Sequence, residues 1–147
     1  MELQLRGRTA LVTGASSGLG LSCARALSAE GASVAIASRS AERLAEAAST
    51  IDGDVVQVVA DVSTTAGVDA MIEQTTERLG HIDILVANAG GPPRGNFTET
   101  DVDAYDAALR LNLLSTVAMC KAVVPGMQER GWGRVVAITS ISVREPI

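Results

Sequence analysis

The residues best placed by type and spacing to do chemistry lie near the start of the chain, in Thr13-Gly14-Ala15-Ser16-Ser17-Gly18-Leu19-Gly20. The glycines follow the spacing G-x-x-x-G-x-G between an apolar run, Thr9 to Thr13, and a stretch with helical periodicity. Gly14 permits a tight exit from a strand, Gly18 leaves room for an anion to approach the backbone, and Gly20 lets a helix pack closely. The hydroxyls of Ser16 and Ser17 and the free N–H groups of a helix start add donors, with Leu19 beside them. Such a turn binds a phosphate group. No lysine follows in the position a triphosphate-binding loop requires, which excludes that class of site. The bland alternative is a glycine-rich structural turn.

The elements needed to position this turn can be read from the alternation of β-branched runs with Ala-rich amphipathic stretches, the mark of repeated βα units. Strands are expected at 9–13, 33–38, 55–60, 82–87 and 134–139. Helices are expected at 18–30, 41–49, 64–79 and 98–124, with Gly31 closing the first and Gly80 the third. Thr98 is expected to cap the long fourth helix, with Glu99, Asp101 and Asp103 near its positive end and Pro125-Gly126 near its close. The pattern predicts an α/β fold: a Rossmann-type, doubly wound parallel sheet with helices on both faces, in a single domain over 1–147.

Composition narrows the function classes. The chain has 147 residues, a net charge of -5, 47% hydrophobic residues and 20% charged residues. That is ordinary globular usage and a poor match for nucleic-acid binding. No uninterrupted run of about 18 apolar residues is present, so no membrane span is expected. Met1 to Arg8 lacks a signal-peptide core. Cys23 and Cys120 make neither a disulfide framework nor a metal-ligand pattern; they fit a reducing cytoplasm and read as small core residues, and no metal site is expected. His81 reads as a solvated loop residue. The acidic group Glu99, Asp101, Asp103 and Asp106 reads as a helix start and wet face. Arg94, in a Pro-Pro-Arg-Gly loop, is a substrate-side candidate.

Taken in order, five segments resemble the short-chain dehydrogenase/reductase family: the glycine turn, Asp61-Val62 after the third strand, Asn88-Ala89-Gly90 after the fourth, Leu111-Asn112 in the long helix, and Gly133-Arg134-Val135-Val136 leading to Thr139-Ser140. The resemblance covers Leu5 to Ser140. It implies a nicotinamide cofactor, with Asp61 and Val62 at the adenine ring, Asn88, Ala89 and Gly90 beside the cofactor, and Ser140 and Asn112 in the active site. Ser140 would polarise a substrate oxygen, and Asn112 would hold a water in a proton relay. Residue by residue, other readings stand alongside: Asp61 as a cap for the helix near Thr64, Asn88 as a brace for the sheet, Asn112 as a bridge across a kinked helix, and Ser140 as a surface serine.

Cofactor choice turns on the end of the second strand. A carboxylate there grips a ribose 2′-OH, whereas Arg accommodates a 2′-phosphate. This chain has Ser38-Arg39 and no acid before Glu42, which favours NADP(H) over NAD(H); otherwise Arg39 is a solvated loop residue. The family's Tyr-x-x-x-Lys motif is absent from these residues: Tyr105 is followed four residues later by Leu109, and Lys121 is preceded four earlier by Val117. The chain therefore resembles the N-terminal half to two-thirds of a family member. Arg144-Glu145-Pro146 resembles a 3-oxoacyl-ACP reductase-like subgroup with an imperfect catalytic set. The resulting expectation is an NADP(H)-dependent reductase of small carbonyl or alcohol substrates, working as a homodimer or homotetramer. Its alternatives are a dinucleotide-binding protein without turnover, or a fragment that associates through exposed sheet edge and helix.

Overall fold

The computed structural model describes residues 3–91, 95–141 and 144–145. Five strands, β1 (Thr9–Thr13), β2 (Ser33–Ser38), β3 (Val55–Val59), β4 (Ile84–Ala87) and β5 (Arg134–Ala137), form one sheet in the order β3-β2-β1-β4-β5. All neighbouring pairs are parallel. The helices are α1 (Gly18–Ala29), α2 (Ala41–Ala48), α3 (Thr65–Leu79), α4 (Val102–Leu109) and α5 (Ser115–Glu129), the last two joined by a π-helical turn, Arg110–Leu114. The doubly wound fold read from the sequence is the observed one.

Side-chain alternation explains the layers. Along β1, Ala10 and Val12 enter one core with Val34, Ile36, Ala24 and Leu44. Leu11, pointing the other way, enters a second core with Val58, Met71, Leu85, Met119 and Val123. The period of two along a strand thus feeds both faces, as a parallel sheet covered on both sides requires. α1 and α2 cover the first face, and α3 and α5 the second. Cys23 and Cys120 are half-buried against these cores and are not joined to each other.

Several boundaries differ from expectation. Thr98 does not cap the fourth helix. Its hydroxyl donates to Asn96 Oδ1 (2.8 Å), while Glu99 N donates to the same oxygen (3.0 Å) and Thr100 N to Asn96 O (3.1 Å). This Asn96-centred turn occupies 96–100, and Asp101 caps α4 by accepting from Ala104 N at 2.8 Å. The helical run also continues past Pro125 to Glu129. Proline removes one helical hydrogen bond, but Met127 beyond it is buried in the second core, which offsets the loss. Trp132 N then donates to Met127 O (3.1 Å) and Gly131 N to Gln128 O (3.0 Å), closing the helix in a Schellman turn. β4 begins at Ile84, two residues late, and β5 ends at Ala137, although Ile138 N still donates to Ala87 O at 2.9 Å.

Apolar length is spread along one helix and is not held in an unbroken run. The continuous helix 102–129 is long and apolar enough to cross a membrane by length and composition, its most apolar stretch of 18 residues having a mean hydropathy of 1.4. Its scattered charges, Asp103, Asp106, Arg110, Lys121 and Glu129, conceal this from a search for an unbroken run. Its inner face, carrying Met119, Val123 and Met127, is packed in the second core.

The N-terminal end of the sheet holds a charge cluster. Asp83, 2% exposed, lies 3.7 Å from both Arg8 and Arg130 and 3.3 Å from His81, and it accepts from Thr9 N at 3.4 Å. His81 is therefore a partner of a buried carboxylate and not simply a solvated loop residue. Arg8 and Arg134 lie over the Trp132 ring at 3.9 and 4.8 Å.

Candidate functional site

β1 leads outward through β2 to β3 on one side, and the chain returns to β4 on the other. The C-terminal ends of β1 and β4 therefore diverge, and the loops that follow them open a crevice. A cleft of about 400 Å³ lies there. Gly14, Ser16, Ser17, Leu19, Ser38, Arg39, Asp61, Val62, Asn88, Ala89 and Gly90 all line it. Strands distant in sequence thus bring most of the expected site residues to one place.

The turn after β1 is fixed by contact. Gly14 has φ +58, and a Cβ there would stand 2.7 Å from Asn88 Nδ2 and 3.0 Å from Asn88 O. The chain has both a backbone and a steric reason for glycine. A Cβ on Gly20 would meet Gly14 O at 2.5 Å, so Gly20 lets α1 close against the turn itself. Gly18 also has φ +58, but the space where its Cβ would lie is open. The structure therefore separates two glycines that pack from one that leaves an approach free. Neither Gly18 nor Gly20 lines the cleft directly.

Asn88 locks the β1 and β4 ends together. Thr13 Oγ1 donates to Asn88 O (2.7 Å) and accepts from Asn88 N (3.0 Å), while Asn88 Nδ2 donates to Gly14 O (3.1 Å). The brace reading of Asn88 holds, and the residue lines the cleft as well. Around the rim, α2 is capped by Ser40 Oγ, which accepts from Arg43 N (3.3 Å), and α3 by Thr64 Oγ1, which accepts from Gly67 N (3.0 Å). α1 has Ser17 at its N-cap without a side-chain cap bond. Its first N–H groups, with the positive helix end behind them, are left to face an anion.

Asp61 does not cap α3, since Thr64 does. Its Oδ1 accepts from Ser63 N at 3.0 Å. The Ser63 backbone N–H and then the Ser63 hydroxyl hold its carboxyl below the ordinary 3.8, against an opposing effect of burial that exceeds the small further lowering by the Arg39 charge. Asp61 is thus a fixed acceptor at neutral pH on the side of the cleft facing Arg39.

Asn112 and Ser140 stand apart from this set. Asn112 is exposed at the centre of the π-turn, and its Nδ2 donates to Ala108 O at 3.1 Å. Thr116 Oγ1 donates to Asn112 O at 2.9 Å, and Ser115 Oγ to Leu111 O. Three polar side chains thereby stitch the carbonyls of a turn that has slipped out of α-helical register. The helix-bridging reading of Asn112 matches this geometry, while its neighbour Leu111 reaches the cleft. Ser140 is exposed three residues beyond β5, outside the lining of the cleft. Arg94 lies outside the described residues.

Two polar lining residues escape the sequence reading, Ser40 and Arg43. Arg43 Nη2 donates to Ser17 Oγ at 3.4 Å. A signal was present: Arg43 follows Arg39 by four residues, in the first turn of the helix that begins just beyond it.

The short chain dehydrogenase family profile matches residues 8–147. Ketoacyl reductase HetN of Nostoc sp. is 35% identical over 146 residues, covering 97% of this chain and 51% of that protein. The crystal structure of L-sorbose reductase from Gluconobacter frateurii, complexed with NADPH and L-sorbose, superposes with a TM-score of 0.93 at 34% identity, covering 100% of this chain and 57% of that one. A 7α-hydroxysteroid dehydrogenase complexed with NADH and 7-oxo glycochenodeoxycholic acid gives a TM-score of 0.93 at 28% identity, covering 99% and 58%. The chain thus spans about half to three-fifths of the length of these relatives.

Proposed function

The chain belongs to the short-chain dehydrogenase/reductase family, and from that premise we propose that it is the dinucleotide-binding domain of an NADP(H)-dependent oxidoreductase acting on a carbonyl or alcohol carbon. 3-Oxoacyl-type ketones are the favoured substrate class, by likeness to the ketoacyl reductase from Nostoc. One neighbouring fold binds NADPH and another NADH, so the choice of cofactor rests on this chain's own residues.

The observation that carries the reading is the end of β2. Ser38 and Arg39 line the cleft where a carboxylate would select an unphosphorylated ribose. The donor set fits a phosphorylated dinucleotide in other respects. The uncapped start of α1, the open approach at Gly18 and the hydroxyls of Ser16 and Ser17 suit a pyrophosphate. Asp61 and Val62 flank the place for an adenine ring, and Asn88, Ala89 and Gly90 continue the cleft past the β4 end. The bound nicotinamide supplies the hydride chemistry. Ser140 is assigned to hold the substrate oxygen and Asn112 to anchor a water. The exposed apolar residues Tyr105, Leu109, Leu113 and Val117 along α4 and α5 support assembly as a homodimer or homotetramer, and the unpaired half-buried thiols suit a cytoplasmic setting.

The test is a titration of the full-length protein with NADPH and NADH, followed by NADPH oxidation against a panel of ketones including 3-oxoacyl thioesters. Tighter NADPH binding by about tenfold or more, with turnover lost in Ser140→Ala, is the expected result. NADPH binding without turnover of any ketone supports a binding protein instead. Equal or reversed cofactor affinities overturn the NADP(H) assignment.

A further inference from the structure

The helical run 102–129 carries one residue too many for α-helical spacing, and Ser115 absorbs it. In an α-helix the Ser115 N–H would donate to Leu111 O. Here it reaches one residue further back, to Arg110 O, which leaves the Leu111 carbonyl without its backbone donor. The Ser115 hydroxyl donates to that carbonyl instead. One residue therefore makes the π-type bond with its backbone and, with its side chain, satisfies the acceptor which that bond abandons. Ser115 is 2% exposed, so water has little access to replace the hydroxyl. The two neighbouring side-chain bonds, Thr116 Oγ1 to Asn112 O and Asn112 Nδ2 to Ala108 O, lie in exposed surroundings where water can serve. Ser115 is the member of the set that solvent does not replace. Register in turn decides position. α5 is fixed in the second core by Met119, Val123 and Met127, so a change of one residue in the turn rotates the preceding segment by about 100° about the helix axis. That segment holds Leu111, which lines the cleft between the β1 and β4 ends.

We propose that Ser115 is a positioning residue for the cofactor cleft: its buried hydroxyl holds the π-turn in register and so keeps the Leu111 side chain on the cleft wall, although Ser115 itself does not line that cleft. The inference rests on the dinucleotide reading for its effect on binding, and on backbone geometry alone for the register. Without the hydroxyl, Leu111 O is satisfied by returning the N–H at position 115 to it, which is the α register. A serine in a helix does not by itself mark this role; its backbone bond to Arg110 does. Threonine is the conservative replacement, because its hydroxyl bonds the carbonyl four residues back in a helix. The cavity of about 450 Å³ that Ser115 lines, between the start of α3 and the turn, gives the added methyl group room.

The experiment uses the full-length protein, Ser115→Ala, Ser115→Thr, Leu111→Ala and the double variant Leu111→Ala/Ser115→Ala. Crystal structures read the register, and titrations with NADPH and with NADH read the cleft. In Ser115→Ala the N–H at position 115 is expected to move to Leu111 O. Both dinucleotides should then bind roughly fivefold more weakly, and to the same degree, because an apolar contact is lost with Leu111. Ser115→Thr should keep the π-turn and bind within about twofold of the unaltered protein. On the Leu111→Ala background, Ser115→Ala should change affinity by no more than about twofold, because the two residues act through one contact. A π-turn that survives in Ser115→Ala overturns the proposal. So does a loss of binding that persists undiminished on the Leu111→Ala background, which would make Ser115 a packing residue only. Binding of neither dinucleotide by the unaltered protein overturns the proposed function and this cleft role with it, a result distinct from binding that is indifferent to Ser115→Ala.

Discussion

The two ends of the parallel sheet use arginine in opposite ways. At the N-terminal end, Arg8 and Arg130 each approach the buried Asp83 at 3.7 Å, and Arg8 and Arg134 lie over Trp132. Charge there is answered within the chain, and the answer crosses the sheet from the residues leading into β1, β4 and β5. At the C-terminal end, Arg39 and Arg43 line a cleft without a carboxylate in salt-bridge reach among the described residues. The helix that starts there lacks its side-chain cap. Internal compensation marks the end that holds the strands together, and uncompensated donors mark the end that waits for a ligand. The same residue type separates a structural cluster from a candidate site once its partners are counted.

The strongest way to break the open end is through its geometry. Gly14→Ala forces a side chain into positive φ and against Asn88. Left-handed backbone costs an L-residue about 1–2 kcal/mol, and overpacking adds about 1–3 kcal/mol. A loss of about 3 kcal/mol in denaturant unfolding is expected, with dinucleotide affinity reduced by roughly a hundredfold because the turn and the β4 loop move apart. Binding that survives the substitution would show that the latch between Gly14 and Asn88 does not shape the cleft.

The closed end is next. Asp83→Asn keeps the shape and removes the charge, leaving Arg8 and Arg130 facing a neutral amide. Removing one member of a buried pair costs about 3–5 kcal/mol. Here both arginines are more than a third exposed, so about 2 kcal/mol is expected. Dinucleotide affinity should stay within twofold, because the cluster lies at the opposite end of the strands. A binding loss that matched the stability loss would erase the distinction between the ends. Arg39→Ala is the mirror experiment: stability within about 0.5 kcal/mol, as for most surface changes, and loss of NADPH preference by about tenfold, read by parallel melting and titration.

How much of this was legible in the sequence follows from the range of each interaction. The glycine turn, the five strands and most cleft residues are written in local order and composition. Short-range competition blurred the helix ends: Asn96 gathers Thr98, Glu99 and Thr100 into a turn of its own, so the cap falls to Asp101. The π-turn at Arg110–Leu114 is a slip of backbone register with no residue-type signature, and it turned the Asn112 amide onto Ala108 instead of into the cleft. The Asp83 cluster escaped because its partners lie far away in sequence, Arg8 before β1 and Arg130 after α5. Arg43 escaped for a milder reason: its spacing to Arg39 was visible, but its tie to Ser17 needed the fold.

The smallest expected effect tests whether the open end tunes its own carboxylate. Asp61 is held below its ordinary 3.8 first by the Ser63 backbone N–H, then by the Ser63 hydroxyl, with Arg39 a lesser contributor. A depressed carboxyl stabilises the fold when ionised. That contribution is therefore fully present above the unfolded value and is lost as pH falls below about 3.8 through the folded one. Because Asp61 is largely exposed, solvent screening keeps the effect small. An NMR titration of the Asp61 carboxyl resolves it better than melting does. Ser63→Ala should raise the titration midpoint part of the way, since the backbone donor remains, and Arg39→Ala should raise it less. The opposite order would make Arg39 the dominant partner of Asp61. The cleft would then hold an ion pair of its own, and the contrast between a compensated and an uncompensated end would rest on Arg43 alone.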